Sequence, residues 1–489
     1  MCAKATFNVL TDPWIPVFTL DGRRKTIGLH ELFQSSHEIK EISVTSPLEE
    51  YALYRFASVF LMDALRPKRE SDLRSMLVKG KFDMNAISAY ITQCEKEGVS
   101  FDLFDQDRPF MQSAFVPEWD GDLKPVSAID FFLPSGNNPM YHDHEDPWEK
   151  TLSFARAARL LLALQQFCLA SVQHYPSGMN GAPPFFCVIK EENLFRTLVL
   201  TLTPLNAIDM SFDRPPAIWR ATTPIEPKKK VEETSWMRGM FFPARRVLLV
   251  PSEDATVVAG VYVAQGENYI NKADWRDPFV AYETNKKGFR ALRPQGNKPI
   301  WQSVCDIADI PGHNASTLLK QYLDLVDTDY ARVTLYGVEI KPGKVVYVNL
   351  HRYELRLPAK MTTNETEILL LRKCVEAAET IAKALGKSIT EDHTLSKTIA
   401  NRAVECFYQM CEHAFWTMCN SMSEKTVQEQ IHEYNLWCSQ ICDFAKKAHT
   451  EVTQDLHLRG NDLGKMAANM RILFAACKKI KKEAMKFDK

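Results

Sequence analysis

Neither sign of charge is in excess. The 489 residues carry 60 Lys and Arg against 61 Asp and Glu, a formal net charge of −1. Bulk attraction to a polyanion is therefore excluded, and any nucleic-acid contact has to come from local patches. No apolar run reaches transmembrane length and no apolar leader opens the chain, which predicts a soluble, cytoplasmic protein with no membrane partner. None of the 12 cysteines stands in a CxxC pair, and seven of them follow residue 360. That pattern suits small core residues in a reducing compartment, not a metal site or a disulfide framework. The absence of GxxxxGK[ST] excludes a phosphate-binding P-loop. Internal repeats and low-complexity segments are also missing. The sharpest absence is local: all 26 prolines precede residue 361, and only three of the 19 glycines follow it.

That step divides the chain. Its length calls for two or three domains, and its 45% apolar and 25% charged residues are ordinary for a globular protein. The expected fold is α+β: a mixed α/β N-terminal domain with long loops over 1–360, then an antiparallel four-helix bundle over 361–489. Pro13 and Pro16 make Phe7–Phe18 an edge strand. Ser46, Pro47, Glu49 and Glu50 form a helix start, with the helix running to about Leu65. A weaker helix is predicted near Asn85–Glu95. Strands are predicted at Phe185–Ile189, Thr197–Leu202, Trp236–Phe242, Val247–Val250, Thr256–Val263 and Val345–Leu350. In the second part, Thr362 and Glu365 have capping-box spacing for a helix ending at Gly386. Three more helices follow at about Thr394–Met422, Glu424–Thr450 and Asp462–Phe487.

The chemistry gathers between Pro134 and Pro184. Two turn-rich loops, 134–146 and 175–184, flank an apolar helix predicted over Trp148–Gln173 with Pro147 in its first turn, a rigid mount for recognition. Two further turns, Lys286-Lys287 and Lys341-Pro-Gly-Lys344, carry lysines. Each feature has a plainer reading: Gly178 and Gly181 as a simple turn, and Lys286/Lys287, Lys228–Lys230 and Arg245-Arg246 as solvated surface. The lysine-rich tail reads as a solvated helix end or as a contact for single-stranded DNA or a neighbouring subunit. Cys406, Cys411 and Cys419 with His413 belong to a bundle core. The rival function is a metal-dependent nuclease or phosphohydrolase using His142, Asp143, His144 and perhaps Glu145. Neighbouring side chains on an extended segment point to opposite sides, however, and a metal site needs further ligands.

Four features in order resemble the large-subunit (CasA) family of type I-E CRISPR Cascade complexes. They are the Asn8…Leu10…Asp12…Trp14-Ile-Pro-Val17 opening, the Phe101–Gln112 segment ending Pro-Phe-Met-Gln, Arg238-Gly-Met-Phe241, and the C-terminal bundle. The resemblance spans essentially the whole chain. It implies a non-catalytic, cofactor-free subunit of an antiviral, RNA-guided complex. Such a subunit reads the protospacer-adjacent motif (PAM) as duplex DNA, promotes unwinding and R-loop formation, and recruits a helicase-nuclease. Its implied partners are crRNA, target double-stranded DNA, and the backbone, handle-binding and small subunits of Cascade. The resemblance places Asn138 and Tyr141 against DNA or the crRNA handle, and Ser177, Gly178, Met179, Asn180 and Gly181 at the PAM. It also puts Lys286 or Lys287 in the minor groove and a strand-separating wedge near Lys341–Lys344. Two departures stand out. The wedge tip has no glutamine or asparagine to read base edges. Pro251–Tyr269 has no cysteine where some members carry a four-cysteine zinc site, so no zinc is expected.

Overall fold

The computed structural model describes residues 4–130, 147–170, 175–285, 288–296, 298–340, 347–422, 424–454, 456 and 460–486. The chain forms two compact units. One takes Met1–Pro294, Ser316–Asp327 and Ala331–Leu355; the other takes Gln295–Ala315, Thr328–Tyr330 and Arg356–Lys489.

The first unit is built around the helix Pro47–Leu65. Ser46 caps it, its Oγ accepting from the Glu49 N–H, and Pro47 occupies the first turn as the sequence predicts. The helix is buried on every side, so its charged residues Glu49, Glu50, Arg55 and Asp63 are buried too. Buried charge has to be paired. Glu49 meets Arg159 at 2.6 Å, Glu50 meets Lys190 at 2.9 Å, Arg55 meets Asp277 at 2.9 Å and Asp63 meets Arg220 at 3.2 Å. Each pair ties the helix to a different part of the chain.

Small antiparallel sheets accompany this helix. The opening strand is central and not at an edge: Ile15–Thr19 lies between Arg24–Ile27 and Ile39–Ile42. Arg245–Pro251 pairs with Val258–Gln265, from Arg245 opposite Gln265 to Pro251 opposite Val258. Tyr282–Asn285 pairs with Gly288–Ala291, and Tyr330–Ile340 lies between Phe186–Ile189 and Tyr347–Pro358.

Several predicted elements differ. The central helix is Phe154–Phe167, capped by Ser153, and Pro147 heads only the single 3-10 turn Pro147–Glu149. Thr197 to Leu200 belongs to a helix, Leu194–Leu200, not a strand, because the Asn193 side chain caps it by accepting from the Arg196 N–H. Trp236–Met240 is likewise helical, capped by Ser235. A helix at Glu70–Lys79 was not anticipated, and the weak helix near it spans Met84–Lys96.

In the second unit four long helices, Glu365–Thr390, Lys397–Met422, Val427–Thr453 and Gly460–Ala484, form the expected bundle. Each packs on its sequence neighbours, and the first also packs on the last. Asn364, not Thr362, caps the first helix, and that helix continues through Gly386 to Thr390. The buried seam carries Cys374, Cys411, Cys419, Cys438 and Cys442 beside Phe407, Phe415 and Trp437. His413 is exposed. Trp301, from the upstream segment of this unit, is fully buried, its ring 5.0 Å from that of Phe415 and 6.2 Å from that of Trp437. No helix among the described residues is long and apolar enough to cross a membrane.

Candidate nucleic-acid interface

The second turn-rich loop, Tyr175–Pro184, emerges beyond the C-terminal end of the central helix. Its tip is a tight turn in which the Gly181 N–H donates to the Gly178 carbonyl at 3.1 Å. Gly181 has φ +72°, a left-handed conformation that a Cβ disfavours. Gly178 is different: a Cβ there would lie 3.4 Å from the Gln165 carbonyl and 3.6 Å from Cys168 Sγ, on the protein side of the turn. Those are ordinary van der Waals distances, so the turn can meet the end of the central helix with or without a Cβ there. Met179 is buried and anchors the turn; Ser177, Asn180 and Gly181 are half-buried.

Four side chains hold this turn from below. Asn180 Nδ2 donates to Asp277 Oδ2 at 2.8 Å, and Asp277 is in turn paired with Arg55, both side chains being 1% exposed or less. Arg55 also donates to Tyr51 Oη at 2.7 Å and to the Met240 carbonyl at 2.9 Å, so the pair is fixed at both ends. The other three are cations that donate to the turn's own oxygens. Arg245 reaches the Pro176 carbonyl at 2.6 Å, Lys272 reaches the Ser177 carbonyl at 3.1 Å and Ser177 Oγ at 2.6 Å, and Arg293 reaches the Asn180 carbonyl at 3.3 Å. Among the described residues none of these three forms a salt bridge with a carboxylate. Burial pushes the Lys272 ammonium below the usual lysine range, with the nearby Arg245 charge acting the same way. Burial and the Arg290 charge lower Arg293 likewise. A chain of net charge −1 thus places three cations, none in a salt bridge among the described residues, directly behind one turn, a local field suited to an anion.

Of the residues singled out on the sequence, Ser177 to Gly181 are brought together here. Asn138, Tyr141, His142, Asp143, His144, Glu145, Lys286, Lys287, Lys341 and Lys344 lie outside the described residues. The strands flanking Lys286 and Lys287 pair with Asn285 opposite Gly288. Sequence reasoning missed Asp277, Lys272 and Arg293, and it misread Arg245-Arg246 as solvated. Both arginines are buried: Arg246 clasps Asp120 with two contacts of 2.8 Å, while Arg245 serves the turn. The available signal was their position at the head of the apolar strand Arg245–Pro251, where alternation sends them to opposite faces. Among the described residues, no three His, Cys, Asp or Glu side chains are grouped to hold a metal.

The geometry describes an anion-seeking turn without saying whose anion it meets. The family model for CRISPR-associated protein Cse1 matches residues 8–448. The chain belongs to the Cse1 family. The CasA/Cse1 protein of Thermus thermophilus is 29% identical over 398 residues, covering 78% of this chain and 76% of that relative. The solved structure of Thermus thermophilus CasA (Cse1) shares the fold at TM-score 0.75 and 23% identity, covering 96% of this chain and 99% of the other. A chain of a solved CRISPR RNA-guided surveillance complex does so at TM-score 0.77 and 19% identity, covering 96% and 100%. The resemblance to the CasA large-subunit family, and the mixed helix-and-sheet fold with its helical C-terminal region, are borne out.

Proposed function

We infer that this Cse1 protein is a non-catalytic subunit of an RNA-guided surveillance complex of the type I-E Cascade kind, and that it recognises the PAM in duplex DNA. The observation that carries the reading is the turn Ser177–Gly181, with Arg245, Lys272 and Arg293 behind it and, among the described residues, no carboxylate in a salt bridge with any of the three. A turn already fixed by Asn180, Asp277 and Arg55 loses little freedom on binding, so most of its contact energy is available for selecting the duplex. The three buried or half-buried cations raise the potential at the turn, and its half-buried polar atoms supply the contacts. The family resemblance adds Asn138 and Tyr141, Lys286 or Lys287, and the lysines of 341–344 as further contacts to the PAM-proximal duplex and the crRNA handle. Unwinding of the target and recruitment of a helicase-nuclease follow from binding there, with the other Cascade subunits and crRNA completing the assembly.

The test is binding of the reconstituted ribonucleoprotein complex to a target library with randomised PAM positions, with and without this subunit. The expected result is PAM selectivity that requires the subunit. Lys286→Ala with Lys287→Ala should weaken binding to all sequences and lower the salt slope by about one for each phosphate no longer neutralised. Asn180→Ala should instead degrade selectivity. A complex equally selective without this subunit would overturn the reading.

A further inference from the structure

Tyr175, the residue that leads into the turn, also lines a second feature. Together with Trp119 it borders an open cleft of about 510 Å3, within the range of roughly 300–1,000 Å3 that small-ligand sites occupy. Arg245 and Arg246, on opposite faces of one strand, each support one of the two rings. The Arg246 guanidinium lies 5.0 Å from the Trp119 ring centre and the Arg245 guanidinium 4.8 Å from that of Tyr175. Both rings are half-buried. Lys124 sits at the hydroxyl end of Tyr175, its Nζ 3.4 Å from that oxygen and 2.7 Å from the Val263 carbonyl.

The other lysine of the cleft, Lys228, has φ +63°, and the Lys229 N–H closes a turn onto the Glu226 carbonyl at 3.4 Å. With Pro227 before it, this is the turn position that glycine or asparagine normally fills. A lysine kept in a conformation unfavourable for its own backbone points to a use for its side chain. Lys228 is exposed and forms no salt bridge among the described residues. The acidic residues of the cleft limit what charge alone can do. Asp120 is taken by Arg246 and Glu226 by Lys229, which leaves Glu118 and Asp122 against Lys124 and Lys228. A near-neutral site with two supported rings favours a ligand that stacks and carries a single phosphate over a stretch of duplex backbone.

We propose that this cleft is a stacking site for one unpaired nucleotide, its base against Trp119 and Tyr175 and its phosphate at Lys124 and Lys228. The proposal rests on the nucleic-acid reading of the chain and extends that surface from the turn, through Tyr175, to nucleic acid that has left the duplex. Stacking supplies most of the affinity. Trp119→Leu therefore lowers it by about 5- to 150-fold, the range for losing one base–aromatic contact. Lys228→Gly lowers it a few-fold while leaving the unfolding midpoint unchanged or raised, because the turn prefers glycine.

The experiment uses the assembled complex on a target carrying its PAM. Single 5-iodouracil substitutions are placed in the guide RNA, the target strand or the displaced strand, in separate arms, and light-induced cross-links are mapped by mass spectrometry. Cross-links from unpaired positions to Trp119 or Tyr175, reduced by Lys228→Gly, are expected, and the arm that yields them names the source strand. Cross-links found only elsewhere, with PAM selectivity intact, overturn the stacking site and leave the turn's role standing. The same holds if a lysine-directed cross-linker joins Lys228 to a neighbouring protein subunit and iodouracil does not reach the cleft. Absence of PAM selectivity in the unaltered complex instead overturns the reading beneath it.

Discussion

A methyl group added at Gly178 and one added at Gly181 meet different obstacles, although the two glycines share one turn. At Gly181 the backbone is left-handed and the new Cβ lies 3.2 Å from Arg293 Nη2; at Gly178 it makes only ordinary contacts. Gly181→Ala is expected to cost about 1–2 kcal/mol of stability, and Gly178→Ala well under half of that. Denaturant unfolding of the two variants checks this, and a reversed ranking would refute the conformational argument. At this scale the turn itself was legible, because proline, serine, asparagine and two glycines in seven residues announce it. Its supports were not. Arg245, Lys272, Asp277 and Arg293 come from 69, 95, 97 and 113 residues away, and no local pattern marks them. A buried ion pair looks like any Arg and Asp until the fold brings it together.

Elements were read well where periodicity is long and poorly where it is short. The bundle helices repeat their apolar positions over more than 20 residues without proline, and their predicted ends lie within a few residues of the observed ones. Leu194–Leu200 and Trp236–Met240 hold β-branched and aromatic residues in runs too short to separate the two periods. Their caps, Asn193 and Ser235, were the decisive signs. Two predictions belong here. Asp277→Ala strands Arg55 in the core and should cost about 3–5 kcal/mol; a smaller loss, measured by unfolding, would mean that water reaches the pair. In the bundle, His449 is 5% exposed with Nε2 unpartnered, and burial lowers its pKa below the usual histidine value. Above a pH of about 6.5 the ring is neutral whether the chain is folded or not. As the pH falls further the unfolded chain takes the proton first, so stability declines down to the folded-state pKa. Unfolding midpoints between pH 7 and 5 should therefore fall, and His449→Gln should flatten part of that fall. An identical slope in the variant would assign the decline to other groups.

For the molecule as a whole, the loss of proline and glycine after residue 360 marks where the chain becomes helical, and the second compact unit also draws on Gln295–Ala315 upstream of that step. Trp301 makes the reason physical, since its ring completes the aromatic cluster of Phe415 and Trp437. Trp301→Ala should cost about 3–5 kcal/mol. A fragment beginning at residue 361 should unfold at a lower temperature than one beginning at residue 295, as followed by circular dichroism; equal midpoints would show the upstream segment to be dispensable. The same arrangement has a consequence for biosynthesis. Trp301 leaves the ribosome more than a hundred residues before Phe415 and Trp437, which at about 5–20 residues per second is a wait on the order of ten seconds. During that interval an indole built for a core stands open to solvent, and a chaperone that grips nascent chains at this segment would shorten the exposure.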